Sequence, residues 1–529
     1  MALLGPVLLL YLAFMAYFAS VQNLWLDETT QLSGILLSPF DQILWLAGKL
    51  HPHFGVPDDR MPPVSYLVDW LGWLVWGSNI LAFRLYHGVI VGIGIAALSV
   101  ACGRRFGTRT GLFAALFLIF APKLVEVAVE IRAYPLFLAI SCLQMAMLVR
   151  GDVAARPARL ARFALLALLS GYTHFFGIVA SSAFFLAAFI AAPDLRAFIR
   201  AVATYGLLLI LWGGLAPFIF GATANSNTAL VSDSGLSALL LYAVRLFGTS
   251  AQMVSLPASL LYLGGLALLG VIAALGILGR IARQRLDARL DPLVGTLVAL
   301  LAGVAVCMLA SFVVKGFNVL APRYSVWTLA PSAVLFAAAA DGLLAPAGRA
   351  MQRLRFVALA LVAVGAVWSQ AQFLGRAQWF VHGPSTTLEA RLAEAGSDTA
   401  IVYEGPAWVW GYMPFYYRHG DALPQWLLTP DGGQVIRVGK GGVVTSAPQP
   451  LRALARYKTL LVARIDLRTY EDLRALAADP ATRAFAVPDL APGLTQSGWR
   501  DEATFFKPGF YALTGRTFRN PSNVSTPEE

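Results

Sequence analysis

The stretch LWLDETT, residues 24–30, decides the fold of this 529-residue chain. The apolar run that leads into it, from Met1 to about Leu26, is long enough for a membrane helix, which needs about 20 apolar residues. The run ends in two adjacent carboxylates, so Asp27 and Glu28 are predicted at the far rim of the bilayer, at the end of the first helix. A carboxylate there is costly unless it faces water or a polar cavity, which makes both residues functional candidates. The alternative is that they only terminate the helix and hold it at the interface.

The composition is that of a membrane protein. Hydrophobic residues make up 58% of the chain and charged residues 13%, with a mean hydropathy of +0.67. Soluble proteins carry about 25% charged residues. Runs long enough to span a bilayer recur along the first 374 residues, which predicts a polytopic α-helical membrane protein. The first run lacks a basic leader and a small-residue cleavage site, so we interpret it as an uncleaved span.

The net charge of +11 has a topological explanation. Lys and Arg gather in the cytoplasmic loops of membrane proteins. No compact basic patch with interleaved aromatic residues is present, so the sequence predicts no nucleic-acid partner. Three scattered cysteines show neither metal spacing nor a disulfide pattern, and we expect small buried thiols.

The hydropathy pattern predicts about eleven membrane helices. Arginines collect in every second connection between them: Arg104, Arg105, Arg109, Arg150, Arg156, Arg159, Arg162, Arg196, Arg200, Arg280, Arg283, Arg285, Arg289, Arg349, Arg353 and Arg355. The positive-inside rule therefore places the N-terminus and these connections in the cytoplasm of a bacterial inner membrane. The alternate connections and the C-terminal tail are then predicted on the outer, periplasmic side.

Two regions interrupt the series of spans. Residues 28–79 form a long first outer connection, rich in proline and tryptophan, which predicts one or two helices in the headgroup zone. Residues 1–374 then form a transmembrane domain, and residues 375–529 form a small extracytoplasmic α/β domain. In that domain we expect strands at 400–403 and 459–463 and helices at 388–395 and 470–477.

The second outer connection holds a cluster of acids with an arginine and a tyrosine. Glu126 and Glu130 are four residues apart, so a helix would place both on one face. Arg132 and Tyr134 follow directly and complete a candidate binding cluster. The alternative is a local ion pair between Glu130 and Arg132 at a helix end.

Later outer connections add a histidine and two cations. His174 lies between two aromatic-rich spans, where a packing histidine is the alternative. Lys315 and Arg323 could anchor helices at headgroup level, or they could bind a phosphate and neutralise charge on a departing phosphate. An acid such as Asp27 can act as general base toward a hydroxyl. Together these groups predict transfer from a lipid-linked phosphate donor to a hydroxyl acceptor on the outer side.

Short motifs carry a family resemblance. They are LDE at 26–28, FRL at 83–85, GRRFG at 103–107, EIRAY at 130–134, YTHFF at 172–176 and PRY at 322–324. Their order and spacing over about residues 1–345 resemble the GT-C superfamily of polyprenyl-phosphate-sugar-dependent glycosyltransferases. The similarity is to the branch shared by protein O-mannosyltransferases and the lipid A aminoarabinose transferase. The tail matches no family that we name.

The resemblance implies roles for particular residues. Asp27 would be the catalytic base and Glu28 would support it. The substrate- or donor-binding residues would be Arg84, Glu126, Glu130, Arg132, Tyr134, His174, Lys315, Arg323 and Tyr324. Of these, Lys315 and Arg323 would hold the donor phosphate. Some GT-C enzymes use a divalent metal. The sequence shows no dedicated ligand set, so we expect no cofactor, and a divalent metal stays open as the alternative.

The predicted activity is sugar transfer from a polyprenyl-phosphate donor to a hydroxyl acceptor (a glycan, lipid or protein). The phosphate and base chemistry also fits a polymerase or ligase that uses lipid-diphosphate-linked glycans, and this alternative stays open. A transporter of lipid-linked substrates is a further alternative. It is disfavoured because transporters place ionisable residues near the bilayer midplane, whereas here the mid-span segments are nearly free of charge.

Overall fold

The chain is a helical bundle followed by a mixed sheet. The computed structural model describes residues 3–22, 24, 26–50, 59, 61–77, 79–219, 246, 256–282, 292–313, 322–344, 348–380, 385–393, 396–404, 423–429, 431–439, 442–467, 489–507 and 511–521. Lys315, the side chain of Glu126 and the predicted helix at 470–477 lie outside these residues.

The described helices of the first 380 residues are numbered in chain order. They are α1 Leu4–Val21, α2 Leu26–Ile35, α3 Pro39–Leu46, α4 Val64–Trp76, α5 Ile80–Phe106, α6 Thr108–Ile119, α7 Pro122–Val127, α8 Ala133–Arg150, α9 Pro157–Thr173, α10 Phe176–Ile190, α11 Leu195–Trp212, α12 Leu256–Ala282, α13 Pro292–Val313, α14 Leu329–Asp341 and α15 Arg349–Phe380. A 3-10 segment, Pro322–Thr328, leads directly into α14.

Seven of the described helices are long and apolar enough to cross a membrane. These spans are Leu4–Val21, Ile80–Phe106, Ala133–Arg150, Leu195–Ile219, Pro257–Gly279, Pro292–Ala310 and Arg349–Gln372. Two shorter apolar helices, Thr108–Ile119 and Phe176–Ile190, accompany them. The chain is therefore a polytopic helical membrane protein, while the number of eleven crossings stays a prediction.

The end of the first span differs from the sequence prediction. Helix α1 ends at Val21, and Asp27 and Glu28 lie in the first turn of a separate helix, α2. The prediction that this span continues to about Leu26 was wrong, because hydropathy measures apolar content and does not detect where a helix ends. The first turn of a helix favours carboxylates, since its unpaired N–H groups carry partial positive charge.

The first connection contains three described helices, α2, α3 and α4, rather than the one or two that the sequence predicts. Local signals explain their ends. Ser38 caps α3 by accepting a hydrogen bond from Asp41 N, and Asn79 caps α5 by accepting one from Ala82 N. Such caps satisfy N–H groups that a helix leaves unpaired at its start.

Close helix pairs form the bundle. The chain reverses direction at Gly107, between α5 and α6, and its φ of +114° suits glycine. The two helices then pack against each other. A Cβ on Gly111 would lie 2.5 Å from Ser99 O, so only glycine allows this approach. Helix α5 also packs on α8, and α12 packs on α15. The three cysteines are buried, as expected.

The C-terminal region is a seven-stranded mixed sheet. Its elements are α16 Ser385–Ala393, β1 Thr399–Glu404, β2 Gln425–Leu428, β3 Val435–Gly439, β4 Gly442–Ala447, α17 Pro450–Leu454, β5 Thr459–Leu467, α18 Ala491–Gln496, β6 Arg500–Lys507 and β7 Tyr511–Arg519. The strand order is β4-β3-β2-β1-β5-β7-β6, with β1 parallel to β2 and β5. Both predicted strands are therefore present as central neighbours, and the expected helix at 388–395 corresponds to α16.

Candidate functional site

The described candidate residues lie at one end of the bundle, and described arginines such as Arg104 and Arg353 lie at the other. On α5, Arg84 is 20 residues from Arg104, which at 1.5 Å per residue is about 30 Å, the thickness of a bilayer core. We call the end that carries Asp27, Arg84 and Arg323 the site end. The end that carries Arg104 and Arg353 is the arginine end.

The most accessible ion pair of the site joins its first and last motifs. Arg323 Nη1 lies 2.8 Å from Asp27 Oδ2, and their side chains are 37% and 33% exposed. Asp27 comes from the first turn of α2 and Arg323 from the 3-10 segment before α14. Within the described part of the chain, Asp27 Oδ1 accepts no hydrogen bond, so this carboxylate has a face open to a substrate.

A second ion pair lies directly behind the first and is completely buried. Arg84 Nη2 is 2.7 Å from Glu28 Oε2, and both side chains have no exposed surface. Glu28 Oε1 accepts a hydrogen bond from Ile131 N, and Arg84 Nη1 donates to Gln22 O. The pair therefore connects the end of α1, the start of α2, helix α5 and the segment before α8. This arrangement positions Asp27 and leaves Arg84 without access to a substrate.

Arg132 is held by an acid that the sequence analysis did not single out. Its guanidinium contacts Asp59 through two bonds, of 2.7 and 3.3 Å, and donates to Asp27 O at 3.1 Å. Tyr66 OH also donates to Asp59, at 2.7 Å. The available signal was the pair Asp58-Asp59 inside the proline-rich connection, an acidic spot in a basic protein.

The structure supports neither a helical face shared by Glu130 and Glu126 nor an ion pair between Glu130 and Arg132. Helix α7 ends at Val127, so Glu126 and Glu130 do not share a helical face, and that prediction was wrong. Arg132 pairs with Asp59 instead of Glu130, whose Oε2 is buried without a hydrogen-bond partner in the described ranges. Burial raises the pKa of the Glu130 carboxyl to about 8, although Arg323 counteracts the shift. Glu130 is therefore largely protonated at neutral pH.

His174 lies in an aromatic cluster with both predicted tyrosines. Its ring stacks on Phe137 at 5.2 Å and lies 5.4 Å from Tyr134 and 5.5 Å from Tyr324. Burial, assisted by Arg132, lowers the pKa of His174 to about 3, so the ring is neutral. Phe176 N donates to Nδ1, which leaves the proton on Nε2. Among the described residues Nε2 has no partner, so the histidine combines packing with one unused donor.

Two further buried polar groups lie near the site and were not predicted from the sequence. Lys123 Nζ donates to Ser325 Oγ at 2.6 Å, which ties α7 to the segment of Arg323. Asp69 Oδ2 accepts a hydrogen bond from Gln31 Nε2, and Asp69 Oδ1 is hydrogen-bonded to His87 Nε2, each at 2.7 Å. In the described ranges, no three His, Cys, Asp or Glu side chains are arranged to hold a metal ion.

The fold and this charged cluster define a class of protein: a polytopic membrane protein with a polar site at one end and a small sheet domain. No family model and no curated protein matches the sequence. Solved structures do match its fold. The apo structure of ArnT from Cupriavidus metallidurans has a TM-score of 0.52 and 14% identity, with 100% of both chains covered.

Two further structures are similar over less of the chain or at lower scores. ArnT from the same organism bound to undecaprenyl phosphate has a TM-score of 0.49 and 14% identity over 98% of this chain and 99% of that one. The apo oligosaccharyltransferase of Archaeoglobus fulgidus has a TM-score of 0.41 and 13% identity over 70% and 56% of the two chains. The likeness to apo ArnT shows that the two proteins share a fold, as the resemblance in the sequence predicts.

Proposed function

We propose that this protein is a membrane glycosyltransferase that moves a sugar from a polyprenyl-phosphate donor to a hydroxyl acceptor of the cell envelope, on the periplasmic face. The observation that carries the proposal is the half-exposed pair of Asp27 and Arg323, which combines a base with a phosphate-binding cation. ArnT, the aminoarabinose transferase that shares this fold, is known with undecaprenyl phosphate bound, which supports this choice of donor.

In the proposed reaction the acceptor oxygen attacks the anomeric carbon of the sugar. The bond from that carbon to the phosphate oxygen breaks, and polyprenyl phosphate leaves with the electron pair. Asp27 takes the proton of the acceptor hydroxyl, and Arg323 with Lys315 neutralises the phosphate. Glu28 and Arg84 position Asp27. The proposed contacts of the sugar and acceptor are Glu130, Arg132, Tyr134, His174 and Tyr324. The proposed step includes no cofactor.

The donor phosphate and Asp27 compete for Arg323. In the substrate-free structure Arg323 is paired with Asp27 Oδ2. The donor phosphodiester offers two unesterified oxygens that share a negative charge, so it can bind the guanidinium in a bidentate fashion and draw it away from Asp27. Asp27 then loses its partner at the moment when a base is required. Donor binding would thus prepare the base for the acceptor.

The test is sugar transfer by Asp27→Asn in membranes that contain a labelled polyprenyl-phosphate sugar. We expect transfer to fall by at least about 100-fold, the scale of general-base catalysis, while the protein still purifies as a folded monodisperse species. Asp41→Asn is the matched control, because Asp41 lies in the same connection and outside the site. Full activity of Asp27→Asn would reject the assignment. Donors with a diphosphate carrier, tested in parallel, separate the transferase from the polymerase or ligase alternative.

A further inference from the structure

A polar cavity lies at the arginine end, separated from the proposed active site by about the thickness of a bilayer core. It has a volume of about 930 Å³ and lies between the start of α6, the end of α14 and the start of α15. Four guanidinium groups line it: those of Arg109, Arg349, Arg353 and Arg355. The positive-inside rule explains arginines at this end, but it does not require that they converge on one cavity.

The cavity has the features of an anion site. Asp341 is the acid among its described lining residues, and Thr110 Oγ1 donates to Asp341 Oδ2 at 2.6 Å. Four cations against one hydrogen-bonded carboxylate leave an excess of positive charge. Arg355 is half-buried and packs against Gly342, whose φ of +89° and missing side chain make room for the guanidinium. The guanidinium of Arg355 therefore lies close to the backbone at the end of α14.

An apolar groove continues from this cavity into the membrane. It has a volume of about 310 Å³ and shares Phe113 and Leu359 with the arginine cavity. Along α15 the groove extends from Leu359 to Val367, eight residues or about 12 Å. One leaflet contributes about half of a 30 Å hydrocarbon core, so the groove has the depth of a single leaflet. Phe356 and Val367 are 76% and 60% exposed, which places this face of α15 toward lipid.

We propose that the cavity and groove together bind one phospholipid with an anionic headgroup, from the leaflet at the arginine end. The headgroup phosphate lies among Arg349, Arg353 and Arg355, where charge complementarity favours it, and an acyl chain fills the groove. The site is separate from the donor site proposed above. A groove that ends within one leaflet fits an acyl chain better than a chain that continues across the bilayer.

The test is native mass spectrometry of the delipidated full-length protein with equimolar phosphatidylglycerol and phosphatidylcholine. We expect one retained phosphatidylglycerol per protein and a preference over phosphatidylcholine. The triple variant Arg349→Gln/Arg353→Gln/Arg355→Gln should lower that preference by about tenfold or more, since each arginine attracts anionic lipid. The matched control Arg150→Gln/Arg162→Gln/Arg196→Gln removes three exposed arginines outside the cavity and should keep the preference.

A second pair of variants tests the groove. Ala363→Trp places a large ring in the groove and should reduce lipid retention, whereas Val364→Trp, on an exposed neighbouring position outside the groove, should not.

Equal retention by wild type and the arginine triple variant would overturn the proposal. So would displacement of phosphatidylglycerol by equimolar undecaprenyl phosphate or by millimolar inorganic phosphate, because either would assign the cavity to another occupant. The readout needs no turnover, so failure here leaves the transferase proposal intact.

Discussion

Arg323 Nη1 contacts Asp27 Oδ2 at 2.8 Å across 296 positions of the sequence, and both side chains keep about a third of their surface exposed. Directly behind it, Glu28 and Arg84 form a pair with no exposed surface. The two adjacent acids of one helical turn therefore differ in kind. Glu28 is part of the framework, and Asp27 faces the space where a substrate can arrive.

The first prediction concerns the competition between Asp27 and the donor phosphate for Arg323. Asp27→Asn should bind undecaprenyl phosphate more tightly than wild type, although it loses transfer activity, because the phosphate no longer competes with a carboxylate. A partly exposed ion pair contributes about 0.2–1 kcal/mol, so the gain in affinity should be about 1.4- to 5-fold. Binding to detergent-solubilised protein by microscale thermophoresis measures it. Asp41→Asn should leave the affinity unchanged, and weaker binding by Asp27→Asn would refute the competition.

The second prediction concerns the buried pair behind Asp27. Glu28→Gln or Arg84→Gln alone leaves an unpaired buried charge, which costs about 3–5 kcal/mol of stability. The double variant carries no buried charge, so it should lose less than the sum of the two single losses. Unfolding of the three variants in detergent gives the coupling free energy. Strictly additive losses would show that the pair does not act as a unit.

The sequence indicated the architecture well because its signals are local. Membrane helices, the β1 and β5 strands and the motifs around Asp27, Arg132 and Arg323 follow from hydropathy, residue type and order along the chain. The structure also brings the described candidates to one end of the bundle. Asp27 contacts Arg132 and Arg323 directly, and Glu28 accepts a hydrogen bond from Ile131 N, next to Arg132.

The failures have a common physical cause. The partner of Arg132 is Asp59, 73 positions away, and not the nearby Glu130. Burial favours the neutral form of Glu130, and Asp59 reaches the guanidinium from the connection between α3 and α4. The predicted ends of α1 and α7 were wrong because an apolar sequence can continue beyond the residue at which a helix ends. Such tertiary contacts and breaks leave no periodic signal.

The third prediction concerns the anchoring of the first connection. Asp59→Asn removes the charge that holds Arg132 and weakens the acceptor of Tyr66 OH, so hydrogen exchange in α4, residues 64–76, should become faster. Tyr66→Phe removes only one hydrogen bond and should have a smaller effect. Exchange followed by mass spectrometry resolves the two cases. An equal acceleration in both variants would assign the anchoring to Tyr66 and not to the ion pair.

The last prediction is a pH dependence of stability with a defined sign. The carboxyl of Glu130 has a pKa of about 8 in the folded protein, raised by burial from the ordinary 4.5. Between these values the unfolded chain has lost the proton that the folded protein keeps, so stability falls as pH rises. From pH 5 to 8 the loss is on the order of 3 kcal/mol.

Glu130→Gln mimics the protonated side chain and should remove this loss, which thermal unfolding of both proteins at pH 5, 6.5 and 8 would show. His174→Gln provides a control of opposite sign. The pKa of His174 is lowered to about 3 from 6.5, so the wild type loses stability as pH falls below 6.5, because the unfolded chain then binds a proton that the folded protein does not. Parallel pH profiles for wild type and Glu130→Gln above pH 6.5 would mean that Glu130 is already charged in the folded state. In that case Glu130 would add to the negative charge beside Asp27.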